Sequence, residues 1–351
     1  MATPKSRIET EGDTEPDRPT SYDVAQLAGV SQSAVSRCFR VGGSIAPQTR
    51  RRVEAAAKKL GYQPNAFASG LITKRTNLVA VIITNLTNLY YPEVLAALSH
   101  RLDQRGMRVL LFALQHESDI DAALDQVWRY RVDGAICAVR LSASQLRKFE
   151  RHKVPVVLYN RTGEGTPAAS VCCDPVHGEN LLVDRLLGAG HRRFGIIGGP
   201  IDSFVGRQRI EAATARLRLN GVEPVIVGGQ FNHESGAAGL RALLSGDTRP
   251  DAVICVNDLM AIGAIDAARH EFGLKLPNDL SIVGFDGVGP ARWPSYMLTT
   301  MRQPVNRMTE AAVTMIVERI ETRGLPSETR SFCGELLEGT SARLGDVHDA
   351  T

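Results

Sequence analysis

The stretch from Thr20 to Arg40 restricts this chain more than any other. Thr20 is suited to cap a helix, and Asp23, three residues on, sits where the reciprocal acid of a capping box belongs. Val24, Ala25, Leu27 and Ala28 supply an apolar side. Gly29 ends the segment, because a left-handed backbone is needed there. Ser31 can cap a second helix, in which Val35 and Phe39 pack back on the first while Gln32, Ser33 and Arg37 face outward. Two short helices joined this tightly form the pattern of a helix-turn-helix, a motif that lays its second helix in the major groove of DNA. A helical hairpin that merely packs is the alternative.

Charge separates the two. Between Thr20 and Thr76 there are nine basic residues and only two acidic ones, Asp23 and Glu54, whereas the whole chain carries a net charge of +3. A local surplus of this size is the footprint of phosphate binding. Residues 1–19 are mixed in charge and too polar to fold, so a disordered tail is expected, without the hydrophobic run of a signal peptide. No stretch reaches the roughly 20 apolar residues of a membrane span. Cytoplasmic localisation is therefore expected. The six cysteines include no Cys-x-x-Cys and read as reduced core thiols; neither a metal nor a cofactor is implied.

After the turn at Val41-Gly42-Gly43-Ser44, Pro47 opens a third helix with Val53, Ala56, Ala57 and Leu60 as its stripe and Gly61 as its stop. Ala66 to Ile72 could make about two further turns, too short to persist alone and weakened by Gly70. It reads as a conditional helix, with a plain linker as the alternative.

From residue 77 onward, strand and helix signals alternate. Apolar runs at Leu78–Ile83, Val109–Phe112, Gly134–Val139, Val154–Leu158, Phe194–Ile197, Val225–Val227, Ala252–Val256 and Ile282–Phe285 are separated by amphipathic stretches such as 92–105, 118–130, 175–189, 203–220, 233–245 and 257–272. That alternation predicts parallel sheets, and the number of units predicts two α/β lobes with a ligand cleft at the carboxyl ends of the strands. Tyr90, Tyr91, Arg207, Arg209, Phe231, Asn257, Asp258 and Asp286 all fall just past strand ends. Asp258 could instead cap the following helix, and Tyr91 or Phe231 could be core. The histidines, among them His191, are expected at the surface.

Tyr22-Asp23-Val24-Ala25, Gly29-Val30-Ser31, Ala34-Val35-Ser36-Arg37, Thr49-Arg50, Leu60-Gly61-Tyr62-Gln63-Pro64-Asn65 and Leu71 together resemble the headpiece and hinge of the lactose/galactose repressor family, over about residues 20–345. The resemblance implies an all-α helix-turn-helix headpiece (20–64), a hinge (65–76), and a periplasmic-binding-protein-like sensor (77–345). Its lobes would comprise 77–174 with 303–331 and 175–302 with 332–345, the chain crossing near 174, 302 and 332. It implies DNA contacts from Tyr22, Ser31, Gln32, Ser33, Ser36, Arg37 and Asn65, with Leu71 wedging into the minor groove. It also implies effector contacts from Tyr90, Tyr91, Asn160, Arg207, Arg209, Phe231, Asn257 and Asp286. Cys38-Phe39-Arg40, Phe67 and Gly70 depart from the family pattern, as do Asn160, where an acid is common, and Val205, where a polar residue is common.

The expected function is a ligand-responsive regulator, binding near-palindromic double-stranded DNA as a homodimer and governed by a small hydroxyl-rich effector such as a sugar. Residues 340–351 lack leucine heptads, which favours a dimer over a tetramer. An enzyme is not expected, since no dinucleotide fingerprint, Walker loop, His-Glu-x-x-His or Gly-x-Ser-x-Gly occurs. A periplasmic-type solute-binding protein is the rival class; it would need no headpiece.

Overall fold

A computed structural model describes residues 19–40, 42–63, 75–84, 86–163 and 165–346. The chain divides into two compact units, Met1–Thr76 and Asn77–Thr351. The expected tail and most of the hinge, including Asn65, Phe67, Gly70 and Leu71, lie outside the described residues.

The first unit packs α1 (Ser21–Ala28), α2 (Gln32–Cys38) and α3 (Pro47–Leu60) around Val24, Val35 and Val53, all at most 1% exposed. The capping box at α1 forms in both directions, with Thr20 N donating to Asp23 Oδ2 at 2.7 Å and Asp23 N to Thr20 Oγ1 at 3.4 Å. Gly29 closes α1 at φ +60°. Two positions differ from the sequence expectation. Leu27 is 45% exposed, because three smaller side chains already fill the contact beneath α1. Phe39 lies past the end of α2, against Tyr62 with ring centroids 5.9 Å apart, and Cys38 takes the buried place.

The second unit contains two six-stranded sheets. The first has the order β11-β5-β4-β3-β1-β2, built from β1 (Leu78–Thr84), β2 (Arg108–Leu114), β3 (Gly134–Ala138), β4 (Val156–Tyr159), β5 (Ala169–Cys173) and β11 (Thr329–Phe332). The second has the order β12-β10-β9-β8-β6-β7, built from β6 (Phe194–Ile197), β7 (Val225–Val227), β8 (Ala252–Cys255), β9 (Ser281–Asp286), β10 (Thr299–Arg302) and β12 (Glu335–Leu337). Helices α4 (Tyr90–Gln104), α5 (Ile120–Arg129), α6 (Ala143–His152) and α11 (Val305–Glu321) belong with the first sheet. Helices α7 (Pro175–Gly188), α8 (Phe204–Leu219), α9 (His233–Ser245) and α10 (Asp258–His270) belong with the second. The central strands are apolar on both faces because helices cover both, as in Val79 to Ile83, at most 1% exposed.

The chain passes between the sheets after Cys173, after Arg302 and after Phe332. Every strand pair is parallel except β10 with β12. The exception follows from the last crossing. Only Cys333 and Gly334 separate β11 from β12, so the chain enters the second sheet at its cleft end and must run away from it. His191, expected at the surface, is 1% exposed with Nδ1 3.4 Å from Asp251 Oδ1, and burial pushes its pKa below the ordinary value. Among the described residues, no helix is long and apolar enough to cross a membrane.

Candidate functional site

The expected side chains gather in two places, one in each unit. On the headpiece, Ser31 sits in extended backbone and accepts Ala34 N–H at 3.3 Å, so that α2 starts there and its first turn projects outward. Gln32 Nε2 donates to Ser21 Oγ at 3.3 Å, and Arg37 Nε donates to Ser33 O at 3.3 Å. Tyr22 is 71% exposed, Ser31, Gln32, Ser33 and Arg37 are exposed, and Ser36 is half-buried. One face therefore presents an amide, hydroxyls and a guanidinium, the groups that can pair with base edges.

Not all of the local positive charge faces outward. Arg50 donates to Cys38 O at 2.8 Å and to Gly43 O at 3.2 Å. Arg52 Nε donates to Ala28 O at 3.0 Å and its Nη2 to Gly29 O at 2.8 Å. These two arginines cap the carboxyl ends of α2 and α1, a structural use that counting charges could not reveal.

In the second unit, the carboxyl ends of the strands surround a cavity of about 200 Å³. Of the eight expected effector residues, Tyr90, Tyr91, Asn160, Arg209, Phe231 and Asp286 line it. A hydrogen-bonded chain joins the sheets along its wall. Asn160, immediately after β4, donates through Nδ2 to Tyr90 Oη at 3.1 Å and to Gln303 Oε1 at 2.7 Å. Gln303, just after β10, donates through Nε2 to Asp286 Oδ1 at 2.8 Å. Arg209 Nη2 donates to the same oxygen at 2.9 Å and Nη1 to Val256 O at 2.6 Å, with the guanidinium 3.8 Å above the Phe285 ring. Arg161 completes the first lobe's wall by donating to Glu117 Oε1 at 3.1 Å.

Backbone strain concentrates here. Among the described residues, seven non-glycine residues have positive φ, and three of them, Asn160 (+52°), Phe231 (+58°) and Asp286 (+126°), line this cavity. Such conformations cost on the order of 1–3 kcal/mol each and persist where surrounding contacts impose them. Phe231 also needs Gly199, since a Cβ there would lie 2.4 Å from its ring.

Buried acids collect beneath the cavity. Burial pushes the Asp286 carboxyl up while Arg209 pulls it down. Burial takes Asp258 to about 7, with Asp286 adding to the shift. Burial also takes Glu179 to about 8, and its two oxygens have no hydrogen-bond partner. A group in this condition is neutral at neutral pH.

Two expected residues do not reach the cavity. Arg207 is exposed on α8, 4.0 Å from Glu211; Val205 and Arg209, one turn apart, face the cavity and leave Arg207 on the other side. Asn257 is fully buried and spent: its Oδ1 accepts Met260 N at 3.0 Å as the cap of α10, and its Nδ2 donates to Phe231 O at 3.2 Å. Through that second bond it holds the wall residue Phe231 in place. Asp258 is not the cap; it is buried, accepting Thr300 Oγ1 at 2.5 Å and Val288 N at 2.8 Å. Sequence reasoning overlooked Gln303, Arg161, Glu117 and Glu179. Gln303 sits at the second crossing, which was a usable signal; nothing local marked the others.

The headpiece matches the family model described as bacterial regulatory proteins, lacI family, over residues 20–65, and residues 183–342 match a periplasmic binding protein-like domain. The HTH-type transcriptional repressor PurR of Proteus mirabilis (strain HI4320) is 32% identical over 94% of this chain and 98% of its own length. The ribose operon repressor of Escherichia coli (strain K12) is 30% identical over 92% and 99%. The crystal structure of the lac repressor dimer bound to operator and the anti-inducer ONPF superposes with a TM-score of 0.82 at 27% identity, covering 92% of this chain and 98% of that one.

Proposed function

This chain belongs to the lacI family of bacterial regulatory proteins, and on that footing we propose that it is a ligand-responsive transcriptional repressor. It binds near-palindromic operator DNA as a homodimer, in the compartment that holds the chromosome, and works by binding rather than by catalysis. One observation carries this reading: a helix whose exposed turn offers Gln32, Ser33 and Arg37 is joined in one chain to a cavity walled by Asn160, Arg209 and Asp286. The first suits base edges in a major groove. The second suits a small hydroxyl-rich metabolite, such as a sugar, whose hydroxyls need fixed donors and acceptors once they leave water.

The cavity lies between lobes joined at three crossings, so a ligand that fits one lobe angle better than another shifts the population of angles. Residues 65–76 connect that change to the headpiece, with Leu71 as the minor-groove wedge. Coupling then equals the ligand's differential affinity for the two states.

Selection of genomic fragments on purified protein at fixed salt tests the reading. Enrichment of fragments sharing a near-palindrome, lost with Gln32→Ala or Arg37→Ala, is the expected result. A protein that binds sugars yet holds every fragment no better than scrambled DNA would be a solute-binding protein instead.

A further inference from the structure

Helices α5 and α6 run back against the parallel strands they connect, so both end on the side of the first sheet opposite the cavity. The two ends meet there. Trp128 lies flat on His152 with ring centroids 4.3 Å apart, and edge-on to Phe149 at 5.0 Å. Around this stack Arg129, Arg131, Arg151 and Lys153 are exposed. Among the described residues Arg129, Arg151 and Lys153 have no acid partner, although Glu150 adjoins Arg151 in sequence. A cation near the carboxyl end of a helix is ordinary. In the second lobe, however, such cations are paired: Arg216 with Asp184 at 2.7 Å and Arg218 with Glu223 at 2.6 Å.

The backbone marks the same end. Among the described residues, four non-glycine residues outside the cavity have positive φ, and three of them lie here: Asn77 (+54°), Arg131 (+49°) and Lys153 (+57°). Glycine ordinarily takes such a place after a helix. After both α5 and α6 a cation takes it instead. The chain from the headpiece also enters at this end, where Asn77 N donates to Asp133 Oδ2 at 2.8 Å and Asp133 N to Leu78 O at 2.8 Å. Residues 64–76 are a short tether, which gives this face a high effective concentration at any duplex the headpiece holds.

We infer that this end of the first lobe is a second DNA-contacting face, on which Arg129, Arg151 and Lys153 neutralise backbone phosphates of the bound duplex. Such contacts carry no sequence information; they add affinity and salt dependence. The inference rests on the repressor reading above.

Fluorescence anisotropy of the full chain on a selected operator fragment, repeated between about 50 and 200 mM salt, tests it. The triple variant Arg129→Gln, Arg151→Gln and Lys153→Gln should lower the slope of log affinity against log salt by about two, at roughly 0.9 per phosphate contact, and weaken binding about tenfold at the lowest salt. Arg129→Lys with Arg151→Lys keeps the charge and should keep the slope. Arg249→Gln with Lys275→Gln, exposed cations of the second lobe, should leave it unchanged. An unchanged slope in the triple variant, with or without a lower melting temperature, would overturn the second face, as would an equal fall in the second-lobe variant. Either result would leave the repressor reading standing. Wild-type protein that prefers no fragment over scrambled DNA would remove both.

Discussion

The headpiece and the inter-lobe cavity hold their working side chains in opposite ways. On the headpiece, Gln32, Ser33 and Arg37 project from a regular, capped helix, and the hydrogen bonds they make, to Ser21 Oγ, Ser31 Oγ and Ser33 O, are all exposed. In the cavity, Asn160, Arg209 and Asp286 are each at most 8% exposed, tied into one hydrogen-bonded chain, two of them on strained backbone. A surface for a large, charged partner can thus be built on local structure. A site for a small neutral partner is inseparable from the core that holds it.

That contrast can be broken by mutation. The largest effect belongs to Asp286→Ala, which strands the Arg209 guanidinium inside the second unit. A loss of about 3–5 kcal/mol of stability is expected by thermal unfolding, together with loss of effector binding. A loss below about 1 kcal/mol would mean that the cavity is as separable from its core as the headpiece face.

Glu179→Gln sharpens the same side. The folded pKa of Glu179, about 8, lies above its ordinary 4.5, so its contribution is fully present below pH 4.5 and is lost as pH rises through 8. Wild-type stability should therefore fall relative to the variant by up to about 1.4 kcal/mol per pH unit across that window. Asp258, shifted in the same direction, remains in both proteins and cancels in the difference. Melting curves at pH 5, 7 and 8.5 that stay parallel would contradict this.

The headpiece should respond differently. Arg37→Ala is expected to cost about 1–3 kcal/mol of operator affinity at fixed salt, with thermal stability unchanged within about 0.5 kcal/mol. The smallest effect is that of Thr20→Ala, which removes the cap of α1 and should cost the headpiece about 1 kcal/mol, seen by circular dichroism. If Arg37→Ala unfolded the headpiece, the contrast between the two regions would disappear.

The same contrast explains what could be read from the sequence. Headpiece signals are local: Thr20 with Asp23, Gly29, Ser31, Pro47 and Gly61 each mark an end within a few residues, and each sits at the helix end it marks. Central strands such as Phe194–Ile197 were legible because they are continuous apolar runs buried on both faces. The strands Thr329–Phe332 and Glu335–Leu337 are edge strands of four and three residues, too short to show a period that distinguishes them from loop. In the cavity, position past a strand end pointed to Asp286 and Phe231 but could not tell Arg209 from Arg207, which differ only in the face of α8 they occupy. It could not foresee that Asn257 would be consumed as a cap. Glu179 was invisible, since a glutamate in an amphipathic helix ordinarily faces water.

The account rests on communication between the two regions, and one measurement addresses it most directly. Fluorescence anisotropy of a selected operator fragment, titrated at fixed salt with and without a saturating cavity ligand, should show affinity changing by about fivefold or more in wild type and not at all in Asp286→Ala. Equal affinity in wild type with the ligand demonstrably bound would contradict it.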